Sequence, residues 1–148
     1  MQLLVKQTLL AQCRGAIGSR QFQELWFDVN GETKNIVEGG SHSCAYFLSS
    51  ILHNLSLITA VHATVSSTVR DMEQNGWTKI ELPEDGAVVL WDVFEGHQHL
   101  GVYVGNEQAI SNSSEALTPQ QHDWRYRNDE GVEKRKVLAI YTHPKLNA

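Results

Sequence analysis

Apolar and polar positions recur along this chain with two different periods, and the change between them divides it. Up to about residue 76 the apolar residues fall at helical spacing. Beyond that they fall in short runs of strand length bounded by turn residues. Residues 2 to about 17 predict a helix with Leu3, Leu4, Leu10 and Ile17 on one stripe, ended by Gly15 and Gly18. Glu24 to Val29, Asn30-Gly31 and Glu32 to Val37 predict a hairpin, since Asn-Gly between two β-prone runs suits a tight two-residue turn. A helix from about Ser43 to Ile58 carries Phe47, Leu48, Ile51, Leu52 and Leu55 on a wide apolar face, with Ser41 or Ser43 as its cap. A further helix runs from about Ser66 to Asn75 and stops at Gly76.

The second half reads as strands. Pro83 to Gly86 is a turn, Ala87 to Val93 a buried strand, and Glu95-Gly96 a second turn. His99 to Val104, Gln108 to Ser111 and Lys136 to Thr142 are three more strands, with a loop around Pro119 between the last two. Helices followed by an antiparallel meander make an α+β domain, and 148 residues suffice for one domain, 1–148, with a real core.

Composition narrows the function. Net charge is −5, and the densest basic cluster, Glu133-Lys134-Arg135-Lys136, is short and contains an acid. It reads as a solvated lead-in to the last strand, so no nucleic-acid partner is expected. No run approaches the roughly 18–20 apolar residues of a membrane span. Met1 to Gln7 lacks the basic start and apolar core of a signal peptide, so the default expectation is a cytoplasmic protein, with delivery elsewhere left to another route. The two cysteines, Cys13 and Cys44, make no disulfide framework. Cys13, beside Leu9 and Leu10 in the first helix, reads as a small buried hydrophobe.

Cys44 is different. It follows the polar stretch Gly39-Gly40-Ser41-His42-Ser43 and opens the apolar run Ala45-Tyr46-Phe47-Leu48, which puts a thiol at a helix N-terminus. The positive end of the helix dipole favours thiolate there. His99 opens a strand that would cross the core and is the candidate base. The imidazole needs a polar partner to hold one tautomer. Ser111 and Asn112 on the following strand are the candidates, with Asn112 the better orienter by chemistry. The Cys44 N–H and the His42 side chain would face a developing oxyanion. His97 and Trp124 would face substrate, and His53, His62, His122 and His143 read as structural or surface positions. His97 and His99 share one strand face, which leaves a zinc site with Cys44 or His42 as an alternative. No Cys-x-x-Cys or His-Glu-x-x-His supports it, and no metal or cofactor is expected.

Gly86 to Trp91, then His99-Leu100-Gly101-Val102-Tyr103-Val104-Gly105-Asn106, then Gln108 to Ser113, resemble the NlpC-type cell-wall cysteine peptidases and the related CHAP amidohydrolases. The resemblance covers about residues 39–142. It implies a papain-like α+β fold in which a helix-borne cysteine faces a small antiparallel sheet. It implies a Cys44–His99 pair that cleaves an amide through an acyl-enzyme, with a peptide or peptidoglycan fragment as substrate. The family pattern commonly has Asp-Cys-Ser-Gly where this chain has Ser43-Cys44-Ala45-Tyr46, and a second histidine where it has Ser111. It also often has a tyrosine in the stretch that here reads Val29 to Thr33. The alternative is a non-catalytic peptide-binding module on the same fold, with Cys44 structural.

Overall fold

A computed structural model describes residues 1–148. Helix α1 spans Val5–Ala16 and buries Leu9, Leu10, Cys13 and Ala16, a stripe at i, i+1, i+4 and i+7. The stripe expected from Leu3, Leu4 and Ile17 does not form. The first two precede the helix, the third follows it, and all three are exposed. Strands β1 (Trp26–Val29) and β2 (Glu32–Asn35) form the expected hairpin. Asn30 and Gly31 take positive φ at its turn, and the Asp28 carboxylate accepts the Gly31 N–H at 2.7 Å. This two-stranded sheet stands apart from the main one and leaves Trp26 and Phe27 exposed.

A short 3₁₀ turn, Glu38–Gly40, leads into α2, Cys44–Asn54. Ala45, Phe47, Leu48, Ile51 and Leu52 are buried on α2, which makes it the most deeply packed helix. It ends four residues before Ile58, because Ser56 turns into positive φ. Leu57 and Ile58 stay buried without being helical. Neither serine caps α2 with its side chain. Ser41 Oγ donates to the Glu38 carbonyl at 3.0 Å, and Ser43 Oγ to the Phe22 carbonyl at 2.5 Å. Helix α3, Val65–Gln74, is capped by Thr64, whose hydroxyl accepts the Ser67 N–H at 3.2 Å.

The remaining elements build a six-stranded antiparallel sheet from β3 (Thr78–Ile80), β4 (Val88–Phe94), β5 (His97–Gly105), β6 (Gln108–Ser113), β7 (Thr118–Asp123) and β8 (Val137–Thr142), in the order β3-β8-β4-β5-β6-β7. The stretch around Pro119, expected as a loop, is strand β7. Proline is tolerated there because β7 is the sheet edge and needs no second ladder. Val88, Leu90, Leu100, Val102 and Ile110 alternate toward the helices and join the main core of α1, α2 and α3. Val89, Trp91 and Ala109 form a second, smaller cluster with Tyr103, Trp124, Tyr126 and Val137. Period-2 alternation thus separates two apolar layers.

Candidate active site

Cys44 is the first residue of α2, and its sulfur lies where α2 meets β5. The backbone N–H groups of Leu100, Ala45 and Cys44 itself lie near enough to the thiol to act on its titration. Burial pushes the thiol above its ordinary range. The N–H groups and the Arg135 charge pull it down without cancelling that effect. The side chain is half-buried at the wall of a cleft of about 960 Å³ that also includes His42, His97, His99, Ser111 and Tyr126.

β5 carries His99, which pairs in register with Trp91 of β4; their rings stack at 5.4 Å between centroids. The imidazole is buried, and its pKa is pushed down to about 3, first by desolvation and then by the Arg135 and His122 charges. Gly101, two residues on, lets β6 approach closely. A Cβ there would lie 2.7 Å from the Ile110 carbonyl oxygen and 2.8 Å from the Ser111 Cβ.

That approach brings the Ser111 hydroxyl 2.9 Å from His99 Nε2. The same hydroxyl meets His122 Nε2 at 2.7 Å and the Tyr126 hydroxyl at 3.0 Å. His122 Nδ1 lies 2.7 Å from the Asp123 carbonyl oxygen, which can only accept. Burial holds the His122 pKa down, so the ring is neutral and carries its proton on Nδ1. Its Nε2 accepts from Ser111 Oγ–H, and Ser111 Oγ accepts from Tyr126 and from His99 Nε2–H. His99 Nδ1 is left unprotonated.

The expected preference for Asn112 over Ser111 reverses. Asn112 Nδ2 donates to the Gly40 carbonyl at 2.7 Å, which ties β6 to the turn before Cys44, and its Oδ1 is buried without a partner. Adjacent strand residues point to opposite faces, so only one of the two can meet His99. Trp124, expected at the substrate groove, packs edge-on against Tyr103 and accepts the Trp91 indole N–H at its carbonyl. Tyr126, two residues on, lines the cleft instead.

His42 and His97 are exposed at the rim with their rings 5.5 Å apart, and His42 pairs with Glu38 at 2.9 Å. His97 and His99 join no cluster of three metal-ligating side chains, so the zinc alternative finds no donor set. His122, read as structural or surface, lies in the cleft against Ser111; His62 and His143 have structural contacts, with Asp71 and with Asn75. Arg135 is also a cleft residue rather than part of a solvated lead-in. No local pattern marks His122 or Arg135. The only sequence hint for His122 is that Ser111 stands where a histidine is usual.

No helix is long and apolar enough to cross a membrane. No protein-family model matches the sequence, and no curated protein matches it. Among solved structures it is similar to NlpC2 from Trichomonas vaginalis, with a TM-score of 0.57 and 16% identity over 96% of this chain. The chain spans 49% of the length of that structure. The likeness is one of fold, and the α+β architecture is papain-like and NlpC-like.

Proposed function

We propose that the chain is a cysteine-dependent hydrolase of amide bonds, acting on a peptide. The observation that carries this reading is the hydrogen bond from His99 Nε2 to Ser111, which leaves Nδ1 as the acceptor in the cleft that holds Cys44. Cys44 Sγ attacks the carbonyl carbon as its proton passes to His99 Nδ1. The oxyanion forms near the Cys44 N–H, with His42 at the rim. His99 then protonates the leaving amine. Water, deprotonated by His99, releases the acid and restores the thiol. His97 faces substrate beside His42, and Ser111 orients His99. The NlpC-like fold supports a peptidoglycan stem peptide as the first substrate to try.

The thiol and imidazole shifts both favour neutral partners over a thiolate–imidazolium pair in the resting state. The base therefore acts during attack rather than before it. The same observation suits a second reading, a groove that binds peptide without cleaving it. Muropeptide turnover followed by mass spectrometry, with iodoacetamide labelling of Cys44, separates the two. The hydrolase reading expects turnover that Cys44→Ala abolishes, and labelling at neutral pH that His99→Ala slows. Peptide binding with no turnover, and labelling indifferent to His99→Ala, would overturn it.

A further inference from the structure

Arg135 enters the cleft just before β8 and stands there as a cation without an anion. Its Nη1 donates to the His97 carbonyl at 3.0 Å and, more weakly, to the Asp92 carbonyl at 3.4 Å. Its guanidinium carbon lies 5.3 Å from the centre of the Phe94 ring, which Lys134 also approaches at 5.1 Å. These contacts hold the side chain in place. They do not neutralise it, because no carboxylate lies within ion-pair distance. Of the acids close to it in the sheet, Glu133 pairs with Arg125 and the Asp92 carboxylate accepts the Val93 N–H at 2.7 Å; Glu95 and Glu115 also line the cleft, and neither pairs with Arg135.

Both Arg135 bonds leave from Nη1. Nε and Nη2 carry three N–H donors, two of them along one edge of the plane, and bond to no acceptor in the protein. That edge has the spacing of a carboxylate's two oxygens. The charge is also close enough to pull downward on the titration of Cys44, His99 and Tyr126, although burial leaves Cys44 and Tyr126 raised.

We propose that Arg135 forms an anion subsite beside Cys44 that takes a carboxylate of the ligand in the cleft, so that the preferred substrate is an acidic peptide. Only the word substrate rests on the hydrolase reading; the subsite itself does not.

The test compares alkylation of Cys44 by iodoacetate, an anion, and iodoacetamide, its neutral counterpart, on the full chain. The ratio of the two rates cancels the thiolate fraction, which Arg135 also affects. In wild type the ratio exceeds that of Arg135→Gln by about tenfold, one charge-assisted bidentate contact. Arg135→Lys, which keeps the charge and loses the fork, falls between. Equal ratios in wild type and Arg135→Gln would overturn the proposal. A second measurement needs no variant: succinate protects wild-type Cys44 from iodoacetamide, and succinamide at the same concentration does not. Equal protection by both would overturn the subsite as well. If labelling of Cys44 is indifferent to His99→Ala and no peptide is turned over, but the ratio still depends on Arg135, the hydrolase reading fails and the subsite stands.

Discussion

The Ser111 hydroxyl lies 2.7 Å from His122 Nε2, and this contact determines which nitrogen of His99 is left to accept a proton. Because His122 donates its Nδ1–H to the Asp123 carbonyl, its Nε2 accepts the serine O–H. The serine oxygen then accepts the Nε2–H of His99. A serine, a weak orienter alone, becomes directional because a histidine on the next strand stands behind it.

Removing that link slows chemistry without removing the base. Ser111→Ala lowers kcat by about 10²-fold, the low end of what a positioned general base contributes. Asn112→Ala disturbs the Gly40 turn and shows its effect in stability first. Rates and thermal melts measured on both variants check the division. A larger loss of kcat in Asn112→Ala than in Ser111→Ala, with both folded, would reverse the two assignments.

Stability falls on acidification, and the sign follows from His99. Unfolded, the imidazole titrates near its ordinary value of 6.5; folded, its pKa is pushed down to about 3. Between those values the unfolded chain binds a proton that the folded chain does not, so stability is full above about 6.5 and declines toward pH 3, by at most about 1.4 kcal/mol per pH unit. His122, held down mainly by burial, adds in the same direction. The paired carboxylates of Asp71 and Asp123 contribute only below their ordinary value of 3.8. Urea denaturation between pH 7 and 4.5 therefore shows a slope that His99→Gln reduces.

Asp71 organises the segment between α2 and α3. Its buried carboxylate accepts the Thr59 N–H and hydroxyl, the Ala60 N–H and the Asn75 amide, and meets His62 Nε2 at 2.7 Å. Asp71→Ala leaves these groups unpaired and costs about 3 kcal/mol. Hydrogen exchange at Thr59 and Ala60 accelerates, and the cleft wall at Ala63 and Thr64 loosens with it. Unchanged protection at both amides would refute this role.

Gly101 is required by contact rather than by backbone angle. Its φ is not in the left-handed region, but a methyl group would meet the Ile110 carbonyl, the Ser111 Cβ and the Trp91 ring at 2.7, 2.8 and 3.0 Å. Gly101→Ala costs about 1–3 kcal/mol by overpacking. It also moves Ser111 away from His99, so kcat falls further than the loss of stability explains. Activity measured well below the melting temperature separates the two effects.

The two cysteines differ in the way their positions predict. Cys13 is fully buried in α1, its thiol pushed up to about 12, and it labels only when the chain unfolds. Cys44 labels in the native state. Peptide mapping after brief iodoacetamide treatment, with and without urea, reads both.

Local pattern alone determined a good deal of this protein. Helical spacing marked α2 and α3, Asn30-Gly31 marked the hairpin, and alternating apolar residues marked β4, β5, β6 and β8. These features depend on residues close in sequence, so propensity and periodicity carry them. The placement of Cys44 at a helix start and of His99 on a strand came from the same source. Tertiary structure alone decided the rest. Edge strand β7 was hidden by Pro119. The true stripe of α1 depended on where the helix begins. Ser111 rather than Asn112 meets His99 because strand register sets which of two neighbours faces inward. His122, eleven positions after Ser111, and Arg135, at the far end of the chain from Cys44, reach the cleft only through sheet pairing. Residues brought together from distant strands leave no period in the sequence, because only register and strand order make them neighbours.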